Sequence, residues 1–185
     1  MNSLKNHILI SMPHLLDPYF KQSIVFLCEH TKEGAMGLIV NKPFENPDLK
    51  DLFTAVLDDK NNILEIVPKV FFGGPVMVER GIVLHSGKYT TEGSINISHD
   101  FQMTSSKKIL HDISLKKGPE LYRFVLGHAG WGKGQLEQEI GNGDWLLQET
   151  SPDFIFNTKE SSMWKAAARS FGFDTDTFSG VGGQA

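Results

Sequence analysis

Two short stretches of this chain carry residues with the type and spacing of a reactive site. The first is GHAGWGKG at 127–134, in which Gly127, Gly132 and Lys133 have the spacing of a phosphate-binding P-loop. A P-loop places Ser or Thr after the lysine to help hold Mg²⁺, and Gly134 has no hydroxyl. Glycine is more typical of turns, so the pattern favours a strand-to-helix turn whose glycines allow positive φ angles or close approach.

The second stretch is Cys28-Glu29-His30. A thiol beside an imidazole can become a nucleophile or a redox centre when the imidazole lowers the thiol pKa. Side chains alternate along a strand, so Cys28 and His30 are predicted to share one face while Glu29 points to the other. The alternative is that Cys28 packs as a small apolar residue and that His30 caps the following turn. Two ligands are too few for zinc without others such as His14 or His128, and no metal site is predicted.

Backbone groups could also form a site at FGGPV, residues 72–76. Its N–H groups could face an anion, although a Gly-Gly-Pro turn is the commoner explanation. His85 and Ser86 lack the G-x-S-x-G context of a serine hydrolase. These stretches alone do not identify an active site.

The elements that must position these residues belong to an ordinary globular chain of 185 residues, 40% hydrophobic and 22% charged. A net charge of −4 and the lack of a basic run make specific DNA binding an unfavoured interpretation. Cys28 is the only cysteine, which excludes an intramolecular disulfide. No segment approaches the ~20 apolar residues of a membrane span. We therefore expect a cytoplasmic protein without membrane association.

Hydrophobic patterning predicts the order of the elements. Strands are predicted at 7–10, 23–29, 35–41, 69–76, 80–86, 93–98, 123–127 and 144–149. Helices are predicted at 48–58, 104–113, 135–140 and 160–171. Strands follow one another by hairpins early and alternate with helices late, which predicts a single α+β domain over residues 1–185. The polar, glycine-rich residues 174–185 predict a loose tail.

Five segments occur in an order that spans nearly the whole chain. They are ISMPHLLDPYFKQSIVFLCEHTKEGAMGLIVNKP, FFGGPV, GIVLHS, GHAGWGKGQLEQEI and SGVGGQA. Together they resemble the AlgH/YqgE family of bacterial proteins. The resemblance implies an α+β fold in which a mixed, bifurcated β-sheet curls into a pseudo-barrel with helices around it.

The glycine segment of that family reads approximately A-G/S-W-x-x-G-Q-L-E-x-E-I, which Ala129 to Ile140 match here. Lys133 falls at a position that this pattern leaves free, which weakens the P-loop interpretation further. His128 stands where tyrosine is more usual in the family, so a role that depends on the tyrosine hydroxyl does not transfer to this chain.

The family is commonly labelled as transcriptional regulators, and the resemblance implies no secure enzymatic activity. No cofactor is predicted. We expect a non-enzymatic protein that binds a protein partner or a small ligand, with an indirect effect on transcription. One alternative is an enzyme or redox sensor at Cys28 and His30, and a third is direct DNA binding. The contact surface is predicted where three segments converge: the strand end CEH, the turn FGGPV and the stretch GHAGWGKGQ. Its candidate residues are Cys28, Glu29, His30, Gly73, Gly74, Pro75, His128, Gly130, Trp131, Gly132 and Gln135.

Overall fold

The computed structural model describes residues 3–44, 67 and 69–172, which form nine strands and four helices. The strands are β1 His7–Ser11, β2 Ile24–Thr31, β3 Gly34–Ile39, β4 Val70–Phe72, β5 Val76–Ser86, β6 Ile95–Asn96, β7 Phe101–Thr104, β8 Tyr122–Gly132 and β9 Trp145–Glu149. The helices are α1 Lys107–Ser114, α2 Gln135–Gly141, α3 Pro152–Asn157 and α4 Glu160–Ser170.

The strands form one curled, half-barrel sheet in the order β6-β7-β5-β8-β3-β2-β1-β9. All of these neighbours are antiparallel, and β4 adds a parallel pairing with β8. The sheet forks at β8, because β4 pairs with Phe124–Leu126 whereas β3 pairs with Ala129–Gly132. The prediction of an α+β fold with a mixed, bifurcated and curled sheet is therefore confirmed.

The two faces of the sheet bury different apolar clusters, and they are called face A and face B here. Face A carries Phe26 and Cys28 of β2 and packs against α3 and α4 through Ile155 and Trp164. Face B carries the alternate residues of β2, such as Leu27, and packs against α2 through Leu136. Alternation along the central strands thus supplies a core on each face. A third apolar cluster lies around Ile109 of α1 and Phe124 of β8.

Several element predictions agree with the structure. β2 and β3 form the predicted hairpin, in which Thr31 pairs with Gly34. The last helix ends before Gly172, whose φ of 79° is the left-handed conformation that commonly terminates a helix. Among the described residues no helix is long and apolar enough to cross a membrane.

Other predictions are wrong or incomplete. The strand predicted at 123–127 continues to Gly132, so most of the glycine stretch is strand, and the expected strand-to-helix turn is confined to Lys133 and Gly134. The strand predicted at 69–76 is interrupted by the Gly-Gly-Pro turn. The sequence interpretation missed β7 and α3. The predicted helix at 48–58 and the predicted tail at 174–185 lie outside the described residues.

Candidate functional site

The three segments predicted to converge do lie on neighbouring strands. The end of β2 pairs with β3, where Glu29 lies opposite Met36. β3 in turn pairs with β8, where Met36 lies opposite Gly130. The Gly-Gly-Pro turn reaches β8 at His128, which pairs with Val76. The predicted residues are therefore close in the sheet, but they divide between its two faces.

A β-bulge in β2 separates Cys28 from His30. The pairing register of β2 with β3 shifts between Leu27 and Glu29, so one extra residue lies in β2 at this point. His30 pairs with Ala35, which belongs to the face B cluster, whereas Cys28 belongs to the face A cluster. Directly opposite residues in a ladder share a face. The prediction that Cys28 and His30 share one face is wrong, because the bulge reverses the alternation between them.

Cys28 has the environment of a packing residue. Its side chain is buried in the face A cluster, and its Sγ donates to the carbonyl oxygen of Phe26 at 3.7 Å. Burial is the main cause that raises the pKa of the Cys28 thiol far above its ordinary value, so the thiolate is suppressed. With its imidazole neighbour on the other face, this arrangement favours packing over nucleophilic or redox chemistry.

His30 links three parts of the chain. Its Nδ1 accepts the backbone N–H of Leu4 at 3.0 Å, so its Nε2 carries the proton and donates to Glu137 Oε1 at 2.8 Å. The backbone N–H of Glu137 and then His30 donate to this carboxylate and lower the pKa of Glu137. The prediction that His30 caps the following turn is wrong, since its partners lie in the N-terminal segment and in α2.

Face B carries a group of aromatic residues joined by one carboxylate, called the tryptophan cluster here: Phe20, Trp131, Trp145 and Glu139. The rings of Trp131 and Trp145 pack edge to face, with centroids 6.2 Å apart. Glu139 Oε2 accepts both indole N–H groups, each at 2.8 Å. A single carboxylate in α2 thus fixes two tryptophans that lie on different strands.

Gln135 completes the hydrogen bonding of this region. Its Oε1 accepts the backbone N–H of Gly132 at 3.0 Å, and its Nε2 donates to Glu139 Oε1 at 2.9 Å. A phosphate at the start of α2 would have to displace these bonds and approach two carboxylates of the same helix. The residues before α2, Ala129–Gly132, pair with β3 as a regular strand. The arrangement opposes the P-loop interpretation, because the groups at the start of α2 are bonded within the chain.

The glycines of this stretch do not share one role. Gly127 and Gly134 have φ angles of 72° and 73°, which strongly favour glycine. Gly130 and Gly132 have ordinary φ angles, and a Cβ built on either would meet no heavy atom closer than 3.8 Å. The expectation that Gly130 and Gly132 supply a positive φ or a close approach is therefore wrong.

Gly73 and Gly74 allow the turn before β5 to touch the backbone of β8. A Cβ on Gly73 would lie 2.3 Å from the oxygen of Gly127, and one on Gly74 would lie 2.2 Å from the carbonyl carbon of His128. The Gly73 N–H is also bonded to the oxygen of Leu126 at 2.7 Å. This N–H is not free to face an anion, and the two glycines are required for close packing.

The residues after this turn form an irregular, exposed part of β5, called the β5 bulge here: Val76–Arg80. The register passes from Val76 opposite His128 to Gly81 opposite Leu126, which leaves the intervening residues without a partner on β8. Val76, Met77 and Val78 are 39%, 52% and 40% exposed. Met77 has a φ of 49°, which is a rare conformation for a residue with a long side chain.

His128 lies beside the β5 bulge. Its ring is partly buried, and its Nδ1 has no hydrogen-bond partner among the described residues. Burial, followed by the positive charge of Arg80, lowers the pKa of His128. The neutral imidazole is therefore the favoured form next to this surface.

The sequence interpretation missed the β5 bulge, because it began the strand at Arg80 and counted only Val76 with the turn. A signal was present in the run VMVER after Gly-Gly-Pro. Three consecutive apolar residues followed by two charged ones do not fit the alternation of a regular strand.

The described residues form two cavities. One of about 210 Å³ lies between β5, the end of β7 and the start of α1, and another of about 240 Å³ lies beside β9 and α3. Within the described part of the chain, no group of three or more His, Cys, Asp or Glu side chains is arranged to hold a metal ion.

Comparison with known proteins assigns this chain to a family. A family model described as AlgH-like matches residues 8–176. The chain belongs to the AlgH-like family. Among relatives of this family, a UPF0301 protein of Shewanella loihica is 42% identical over 186 residues and covers 100% of both chains. A UPF0301 protein of Jannaschia is also 42% identical, over 100% of this chain and 96% of its own.

Solved structures of similar chains have the same fold. The solution structure of AlgH from Pseudomonas aeruginosa is 32% identical, covers 100% of this chain and 97% of its own, and superposes with a TM-score of 0.78. A crystal structure of a Corynebacterium diphtheriae protein covers 97% of this chain and 92% of its own at 19% identity, with a TM-score of 0.74. The latter likeness concerns the fold alone.

Proposed function

We propose that this AlgH-like protein acts by binding a partner protein through the β5 bulge. The observation that carries the proposal is the exposure of three consecutive apolar side chains, Val76, Met77 and Val78, on an irregular strand. Exposed apolar patches commonly mark interaction sites, and bulges and strained backbone are enriched at functional positions. Met77, with its positive φ, combines all three features.

A protein partner fits this surface better than a small ligand. Sites for small molecules usually enclose about 300–1,000 Å³, whereas the cavity that borders the β5 bulge at Glu79 and Arg80 measures about 210 Å³. DNA is a weaker candidate, because the net charge is −4. Cys28 chemistry is also weaker, since the thiol is buried away from His30.

In this proposal the interaction takes place in the bacterial cytoplasm, and any effect on transcription is exerted through the partner. The protein needs no catalytic group for such a role. The sheet holds both ends of the β5 bulge, because Val76 and Gly81 pair with β8.

Affinity capture with two charge variants tests the proposal. Met77→Asp places a charge in the β5 bulge, and aspartate tolerates a left-handed backbone better than most residues, so the variant should fold. Ile95→Asp is the matched control, because Ile95 is 54% exposed on β6. We expect Met77→Asp to lose roughly tenfold or more of a specifically captured protein, since a buried charge opposes apolar docking. Equal capture by both variants would contradict the proposal.

A further inference from the structure

The β5 bulge lies along an open edge of the sheet. On one side of β5, the pairing with β7 runs from Ser86 opposite Phe101 to Val83 opposite Thr104 and ends there. The chain then leaves the sheet and enters α1 at Lys107. Among the described residues, no strand pairs with 76–82 on that side of β5.

On the other side of β5, the register with β8 also leaves part of this segment without a partner among the described strands. Met77, Val78, Glu79 and Arg80 have no partner in β8 either, because of the register shift. Free N–H and C=O groups along a strand edge can pair with an added strand from another chain. Exposed apolar side chains on the same residues can add contacts with alternate side chains of that strand.

We infer that the partner contributes an extended segment, which adds to the open edge of β5 as a further strand. The segment is apolar opposite Val76–Val78 and acidic where it meets Arg80 and Lys107. This inference rests on the proposed function, because it names the kind of partner that the β5 bulge binds.

The charge of the rim supports an acidic segment. The cavity of about 210 Å³ at the end of β7 is lined by Arg80 and Lys107, and Glu79 is the acidic residue that lines it. Arg80 is exposed and donates to Ser105 Oγ at 3.1 Å, so its guanidinium is already directed towards this cavity. A carboxylate in the added strand would form a stronger, charge-assisted bond with the same group.

Protection of the edge is the competing explanation. Proteins often prevent edge-to-edge pairing with prolines, bulges and charged side chains, and Pro75, Glu79 and Arg80 are of these types. Protection alone does not account for three exposed apolar side chains in succession, which increase the tendency of an edge to associate.

Amide exchange with a designed probe tests strand addition. The probe is a capped peptide of about six residues, with alternating valine and threonine in the middle and an aspartate at each end. Its control carries N-methyl groups on alternate residues, which remove backbone donors without changing the side chains. We expect the probe to slow exchange of amides within 77–82 by roughly tenfold, and the N-methylated control to leave it unchanged.

Charge variants test the acidic part of the inference. Replacing the aspartates of the probe by asparagine should weaken its binding to the wild-type protein by roughly fivefold. The same replacement should have little effect on an Arg80→Ala, Lys107→Ala double variant. An undiminished fivefold difference in that variant would overturn the assignment of Arg80 and Lys107.

Three results would overturn strand addition itself. They are equal binding of the N-methylated control, probe-induced protection at another edge such as β9, and amides of 77–82 that are already protected before the probe is added. The last would show that another part of this chain, or a second copy, covers the edge. If Met77→Asp still abolishes partner capture in any of these cases, the proposed function stands and only strand addition fails.

Discussion

The tryptophan cluster and the β5 bulge lie beside the same strand, β8, and differ in almost every physical respect. In the cluster, Glu139 satisfies both indole N–H groups and Gln135 satisfies both Glu139 and a backbone N–H. In the bulge, residues 77–80 have no partner among the described strands, and apolar side chains are exposed. The polar groups of the tryptophan cluster are hydrogen-bonded to one another, whereas the β5 bulge presents apolar side chains to solvent.

Under the proposed function, the contact surface lies away from the residues of reactive type. The segment QLEQEI contains side chains typical of a site, yet they form hydrogen bonds within the chain. Glu137 binds His30, Glu139 binds two tryptophans, and Leu136 is buried. The β5 bulge contains no thiol or imidazole, but it has exposed apolar side chains and four residues without a partner in β8.

The largest effect is expected from a substitution that disrupts the tryptophan cluster. Trp131→Ala should lower the free energy of unfolding by about 3–5 kcal/mol, because it removes a buried ring and leaves part of the Glu139 carboxylate unpaired. Urea denaturation of the purified variant measures the change. Trp131→Phe is the control, since it keeps most of the ring and should cost clearly less. A loss below about 1 kcal/mol for Trp131→Ala would show that the cluster is not a stabilising unit.

A smaller effect separates two glycines that look alike in the sequence. Gly74→Ala should cost more than about 1 kcal/mol, because Gly74 has a φ of 148° and its Cβ would meet the His128 backbone. Gly132→Ala should change stability by less than about 0.5 kcal/mol, since the site has an ordinary φ and open space. Thermal unfolding of both variants compares them. Equal losses would mean that the β8 backbone does not have the described geometry.

The smallest effect concerns the pH dependence next to the bulge. Burial, and then Arg80, lowers the pKa of His128 below the ordinary value of 6.5, so the unfolded chain binds this proton at a higher pH than the folded one. The corresponding stability is present above pH 6.5 and is lost as the pH falls through the lowered folded pKa. His128→Tyr should flatten this slope, measured by urea unfolding between about pH 5 and 7.5. An unchanged slope would assign the dependence to other groups, such as the buried His85.

The sequence predicts the regular parts of the fold well, because buried strands and the amphipathic last helix have clear periodicity. It misses α3, although Ser151 and Pro152 are typical of a helix start, because the helix is only six residues long. The glycines of GHAGWG suggest a turn. Ala129–Gly132 nevertheless continue as strand, because they pair with β3.

The candidate site is harder to predict because it depends on two irregularities. Nothing in CEH reveals the extra residue that sends Cys28 and His30 to opposite faces, since a bulge is set by the pairing register with β3. The four unpaired residues of β5 likewise depend on its register with β8. Register is a property of two strands together, so one strand's sequence does not contain it.

A competition experiment tests most directly whether function lies in the β5 bulge and stability in the tryptophan cluster. Wild-type protein on beads captures its partner while a soluble variant competes, at a temperature where both variants are folded. Glu139→Gln, which disturbs the cluster, should compete as well as the wild type, whereas Met77→Asp should compete at least roughly tenfold less well. Strong competition by Met77→Asp together with weak competition by folded Glu139→Gln would contradict the account and place the contact surface at the tryptophan cluster.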